Sequence, residues 1–183
     1  MTAAIATATT TWSIDPVHTT AEFKVKHMMI TNVTGQFSAV TGVLKIDEED
    51  VTNSHVEATI DVSSINTRNA DRDTHLKSAD FFDVDQFPTL SFVSTEITRK
   101  VEGELALEGE LTIRGVTRKV VFEVEGPSGP HTDPWGNTRV GFSATTRINR
   151  KDFGLTWNAA LEAGGVLVGD QVTLTLEVQA IRQ

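Results

Sequence analysis

The chain has 183 residues but no cysteine, no tyrosine and only 5 prolines. Without cysteine there is no disulfide, no thiol nucleophile and no thiolate metal site, and packing must supply the stability. Basic residues are few: 16 Lys and Arg stand against 25 Asp and Glu, a net charge of −9. They are scattered rather than gathered into a stripe, so a phosphate backbone would be repelled and nucleic acid is not expected as a partner. No window approaches the roughly 18 apolar residues of a membrane-crossing helix, so stable membrane insertion is not expected. Residues 1–11 carry no Lys or Arg and no sustained apolar core of an export signal. They read as a flexible tail, with the cytoplasm as the expected location. At 39% hydrophobic and 22% charged, the remainder has the make-up of a soluble globular protein, and residues 12–183 fit one domain.

Alternation with period 2 dominates that domain. Val56-Ala58-Ile60-Val62, Leu105-Leu107-Gly109-Leu111-Ile113, Val120-Phe122-Val124 and Val172-Leu174-Leu176-Val178 each interleave with polar residues on the other face. Trp12–Ile14, Ala21–Lys26, Thr31–Ile46, Leu90–Ile97 and Arg139–Ile148 read as further strands, about eight or nine in all. Breaks at Asp47–Asp50 with Asn53, Arg99-Lys100, Arg114-Gly115 and Gly126–Gly136 are short enough for hairpins rather than crossovers. One stretch, Asn69–Asp80, lacks alternation and carries acids where a first helical turn favours them, which predicts a short helix. The fold class is therefore all-β: a single antiparallel β-barrel of about eight strands with one short helix, a two-sheet sandwich being the alternative. A barrel of that size is either filled by its own side chains or just wide enough for one small ligand.

The chemistry-bearing residues give little to an enzyme. Five histidines show no helical His-Glu-x-x-His spacing, so no metal site is expected. Asp73 beside His75 resembles part of a catalytic dyad, but Ser63, Ser64 and Ser78 lack a Gly-x-Ser-x-Gly elbow, and there is no phosphate-cradling glycine loop. Asp71 and Asp73 read more simply as acids at a helix start.

Seven short segments carry a resemblance. They are Trp12-Ser-Ile-Asp-Pro-Val-His18 with Phe23-Lys-Val-Lys-His27; Gly35-Gln-Phe37; Arg72-Asp-Thr-His-Leu76; Phe81-Phe-Asp-Val-Asp-Gln-Phe-Pro88; Gly109-Glu-Leu-Thr-Ile-Arg-Gly-Val-Thr117; Ile148-Asn-Arg-Lys-Asp-Phe-Gly154; and Val168-Gly-Asp-Gln-Val172. In this order they resemble the YceI-like family, lipocalin-like barrels that bind polyisoprenoids. The resemblance implies one extended barrel, a helix near one mouth, a lipid tail threaded through the interior, and often a homodimer. It casts a long-chain isoprenoid lipid, an isoprenoid quinone or a polyprenyl compound, as the partner to be bound, sequestered or carried, with no cofactor and no catalytic residue. Phe23, Phe37, Phe82, Phe92, Leu107, Phe122, Phe142, Phe153, Trp157 and Leu174 become candidates for the lumen wall, and the small Ala58, Gly109 and Ala144 for the space between them. His18, Arg72, His75 and Asn158 become candidates for a polar mouth. A forty-carbon prenyl chain held at about 0.3 kcal/mol per heavy atom would gain on the order of 12 kcal/mol without a charged contact. The alternatives are an enzyme acting on a lipid-like substrate through His18, His75 and Asp73 at the mouth, or a packed barrel that offers only an interaction surface.

Overall fold

A computed structural model describes residues 8–101 and 103–183. In chain order the strands are β1 (Thr9–Ile14), β2 (Thr20–His27), β3 (Thr31–Phe37), β4 (Val40–Asp47), β5 (His55–Asp61) and β6 (Ile65–Asn66). After the helix α1 (Ala70–Lys77) come β7 (Thr89–Arg99), β8 (Glu104–Ile113), β9 (Val116–Glu125), β10 (His131–Thr132), β11 (Thr138–Asn149) and β12 (Val168–Arg182). All pairings are antiparallel. The order β11-β9-β8-β7-β5-β4-β1-β12 returns to β11, so eight strands close a barrel. Closure removes the unpaired edges that an open sheet would present.

Two corners bend the barrel. β1 and β2 both pair with β12, at Trp12↔Arg182 and Thr20↔Glu177, and act as two halves of one strand broken at Asp15–Thr19. The run Thr31–Ile46, expected as one strand, divides at Ser38-Ala39: β3 pairs with β2 and β6, whereas β4 pairs with β1 and β5. Elsewhere the alternation is obeyed. On β8, Leu105, Leu107, Leu111 and Ile113 are buried while Glu104 and Glu110 face solvent, and β9 turns Val120, Phe122 and Val124 inward. Arg114 and Gly115 join these two strands in a two-residue turn with φ of 49° and 71°, the mirror-image geometry that suits strand twist.

The predicted helix is α1. The Asn69 side chain accepts from the Arg72 amide at 3.0 Å and so caps it. α1 and the loop to Pro88 lie at one end of the barrel, with the β8–β9 turn. Arg114 there donates to the carbonyls of Ala79 and Gly154. At the other end Trp12, Leu44, Val140 and Ala180 pack into a separate buried cluster. The proposed tail is shorter than residues 1–11, because Thr9–Thr11 pair with Lys45–Asp47 in β1. Of the remainder, residues 1–7 lie outside the described residues. Among the described residues no helix is long and apolar enough to cross a membrane.

Candidate functional site

Inward-facing residues of the wall enclose a cavity of about 180 Å³ that runs toward the α1 end. Its wall is nearly all carbon. Phe92 and Phe122 meet edge-on with ring centres 5.4 Å apart, and Phe37 bridges Phe23 and Phe82 at 5.8 Å each. Phe142, Val56 and Leu107 divide this lumen from a smaller cavity of about 50 Å³ toward the opposite end.

Phe23, Phe37, Phe82, Phe92, Leu107, Phe122, Phe142, Phe153 and Leu174 all line the main cavity. Trp157 does not. It packs against His75 with ring centres 4.7 Å apart and against Phe81 at 5.3 Å, closing the α1 end from behind. Of the small residues, Ala58 and Ala144 border the cavity, but Gly109 leaves no room. The Phe92 ring lies over it, so that a Cβ would fall 2.4 Å from Phe92 Cζ and 2.5 Å from the Val93 carbonyl oxygen.

Three of the expected mouth residues are at the α1 end, each held in a local contact. Arg72 donates through Nε to Thr67 Oγ1 and through Nη2 to the Thr67 carbonyl, both at 2.8 Å. His75 Nε2 lies 2.8 Å from Asp80 Oδ2. Asn158 spans the loop, donating to the Val168 carbonyl and accepting from the Ala159 and Val168 amides. His18 belongs elsewhere. It sits on the exposed corner between β1 and β2, its Nδ1 2.8 Å from Asp15 Oδ2, because that corner turns over the outer wall beside Gln179. Asp73 meanwhile accepts from the Thr67 amide and hydroxyl. The three groups considered for acid–base work thus attach to three different partners.

On that outer wall Arg139 joins two carboxylates, Asp15 through Nη1 at 2.6 Å and Asp133 through Nε at 2.7 Å. The guanidinium holds Asp15 at about 2 against the cost of burial, with His18 adding to the effect, and keeps Asp133 far below the usual carboxylate range. The triad fastens the loop that leads into β11 to the barrel wall.

Arg150 is the residue that sequence reasoning missed. It is 4% exposed and borders the lumen. Nε donates to the Gly169 carbonyl at 2.8 Å, and Nη1 to the carbonyls of Leu155 and Trp157 at 2.6 and 2.9 Å. Its nearest carboxylate, Asp170 Oδ1, is 3.7 Å away and has no hydrogen-bond partner. Burial pushes the guanidinium pKa down, yet its ordinary value is so high that it stays charged. A signal existed. Ile148 and Arg150 fall on the same face of a period-2 pattern, so the arginine occupies a place where alternation asks for an apolar side chain.

Among the described residues no three His, Cys, Asp or Glu side chains converge as metal ligands. What remains is a carbon-walled lumen with one buried cation near its α1 end, in a closed eight-stranded antiparallel barrel. That combination defines a lipocalin-type barrel. The chain belongs to the YceI-like family, whose domain model matches residues 12–180. It is similar to UPF0312 proteins of Staphylococcus aureus, with 38% identity over 89% of this chain and 92% of the relative in strain MSSA476. The YceI protein of Campylobacter jejuni has a similar structure, with a TM-score of 0.72 and 30% identity over 87% of this chain and 91% of that one. A domain from Saccharophagus degradans described as polyisoprenoid binding shares the fold alone, with a TM-score of 0.67 and 13% identity over 94% of this chain and 98% of that one.

Proposed function

We propose that this barrel binds an isoprenoid-type lipid, an isoprenoid quinone or a polyprenyl compound, in its lumen and carries it shielded from water. The observation that carries the reading is the continuous apolar wall of the lumen, which suits a hydrocarbon and offers a polar metabolite almost nothing. Cavities of about 150 Å³ with such walls stay dry and admit a benzene-sized group. A lumen of about 180 Å³ therefore accepts a ring or an isoprene unit as it stands. A longer chain enters as the half-buried Leu76, Phe82 and Leu174 turn aside and Phe142 opens the partition to the second cavity. The Arg150 guanidinium favours a carbonyl or anionic head group at the α1 end. Membership of the family and the description of the Saccharophagus degradans domain support the lipid class.

The test is organic extraction of freshly purified protein followed by mass spectrometry, with titration of a fluorescent prenyl probe into the delipidated barrel. A co-extracted prenyl compound, or saturable probe binding in the micromolar range or tighter, is expected. Neither result appearing would sink the reading.

A further inference from the structure

The β2–β3 hairpin ends in Met28-Met29-Ile30, and its tip is exposed: Met29 is 62% and Ile30 72% accessible. The backbone is unusual there. Met28 and Met29 take φ of 52° and 60°, and the Ile30 amide donates to the His27 carbonyl at 3.0 Å, which makes a turn whose two central residues are both left-handed. Asn-Gly is the usual solution for such a turn, since side chains with a full Cβ and Cγ disfavour that region. Two methionines in this place hold large apolar side chains out into solvent at the expense of backbone comfort. Strain of this kind points toward a use for the side chains.

The tip also adjoins the lumen. His27 pairs with Val168, which borders the cavity, and the Met28 amide donates to the Leu167 carbonyl at 2.8 Å. Val166, another exposed apolar residue, lies on that same loop. Charge singles out the hairpin again. In a chain of net charge −9, the hairpin from Thr20 to Phe37 carries Lys24 and Lys26 against one carboxylate, Glu22, at the end of β2 away from the tip. Both lysines point to solvent on the outer face of β2.

We infer that the barrel docks on anionic lipid bilayers through this hairpin, the Met-Met-Ile tip entering the headgroup boundary and Lys24 and Lys26 meeting the lipid phosphates. Apolar side chains bury shallowly at such an interface, and each nearby cation adds attraction that salt screens. Docking there would bring the α1 end of the lumen to the membrane, where an apolar guest can be exchanged without crossing water. That purpose rests on the lumen being a lipid site, but the docking itself is measured without a guest.

The experiment is sedimentation of the full chain with vesicles of phosphatidylcholine mixed with phosphatidylglycerol, and with phosphatidylcholine alone. The protein is expected to pellet with the mixed vesicles, less so as salt rises. Met29→Glu with Ile30→Glu should lower the bound-to-free ratio by on the order of tenfold or more. Lys24→Gln with Lys26→Gln should lower it by roughly thirtyfold on the anionic vesicles only. Met28→Asn with Met29→Gly suits the turn better, so it should keep or raise thermal stability while weakening docking. Trp135→Ala removes the most exposed large apolar residue, 82% accessible and remote from the lumen, and should leave docking unchanged. Absence of vesicle binding, docking that survives the tip variants, or loss of docking in Trp135→Ala would overturn the proposal. So would a wild-type dimer that the tip variants convert to monomer without any vesicle binding. Prenyl-probe titration of the same samples separates the two readings: probe binding without docking sinks only the membrane inference, and docking without probe binding sinks only the lipid lumen.

Discussion

Ala144→Phe separates a working lumen from a packing defect. Ala144 is buried on β11 between Val124 and Leu176 and borders the cavity. The substitution adds about six carbons on that wall. Empty space of this kind costs about 24 cal/mol per Å³. Filling about half of the roughly 180 Å³ would therefore return about 2 kcal/mol, while strain from inserting a ring takes back about 1–3 kcal/mol. Stability should change by no more than about 1 kcal/mol. Binding should not be spared. A guest that loses the room for about six carbons, at about 0.3 kcal/mol each, forfeits about 2 kcal/mol and binds about thirtyfold more weakly. Urea unfolding read by tryptophan fluorescence gives the first quantity, and titration of the prenyl probe gives the second. An unchanged affinity in a stable variant would mean that the guest sits outside the lumen. A stability loss above about 3 kcal/mol would mean that no free space lies beside Ala144.

Arg139→Gln should lower stability at neutral pH and flatten its acid dependence. Asp15 titrates near 2 in the fold against 3.8 ordinarily, so its share of stability is complete above about pH 4 and lost as pH falls toward 2. Urea midpoints from pH 7 to 2 should fall less steeply for the variant in that window, and parallel curves would refute the linkage. Arg150→Met strands the carbonyls of Leu155, Trp157 and Gly169 while relieving the buried charge, for a net loss of about 3 kcal/mol. Hydrogen exchange should show the loop 154–167 losing protection first, and an unchanged loop would contradict its anchoring role. Gly109→Ala drives a Cβ against the Val93 carbonyl oxygen, which a side-chain rotation cannot relieve, so a loss of about 1–3 kcal/mol in urea unfolding is expected. A neutral result would require β7 and β8 to spread locally.

Period-2 alternation made β8, β9 and the middle of β12 legible, since apolar and polar side chains alternate along Leu105–Ile113, Val120–Val124 and Val172–Val178, although Arg118 breaks the inward face of β9. α1 was legible from its missing alternation and its first-turn acids rather than from an apolar stripe. β1 began earlier than expected because Thr9–Thr11 offer β-branched side chains but no apolar alternation, and pairing with β4 supplies what pattern does not. The sharing of β12 between β1 and β2 lay beyond reach, since residues so far apart in sequence leave no local trace of their partnership. The lumen phenylalanines became candidates through the family resemblance; those on strands, such as Phe92, Phe122 and Phe142, also fit the alternation, whereas Phe82 and Phe153 lie outside the strands. Trp157 and His18 lie in segments with no period, where residue type gives no direction. Gly109 misled because free volume depends on where a neighbour's ring lies, and Arg150 because a charged residue beside a strand is ordinarily read as facing water.

The hydrogen bonds that close the barrel join residues from opposite ends of the chain: Trp12 pairs with Arg182, and the Gln183 amide donates to the Thr11 carbonyl at 2.9 Å. During synthesis β1 therefore finds β4 early but emerges long before β12 exists, and β11 too waits for β12. Until the last strand leaves the ribosome, the nascent chain is an open sheet with bare edges and an exposed apolar face, the form most prone to aggregate or to recruit a chaperone. Any lipid guest must meet the barrel after β12 has been added, or else be trapped by the act of closure itself.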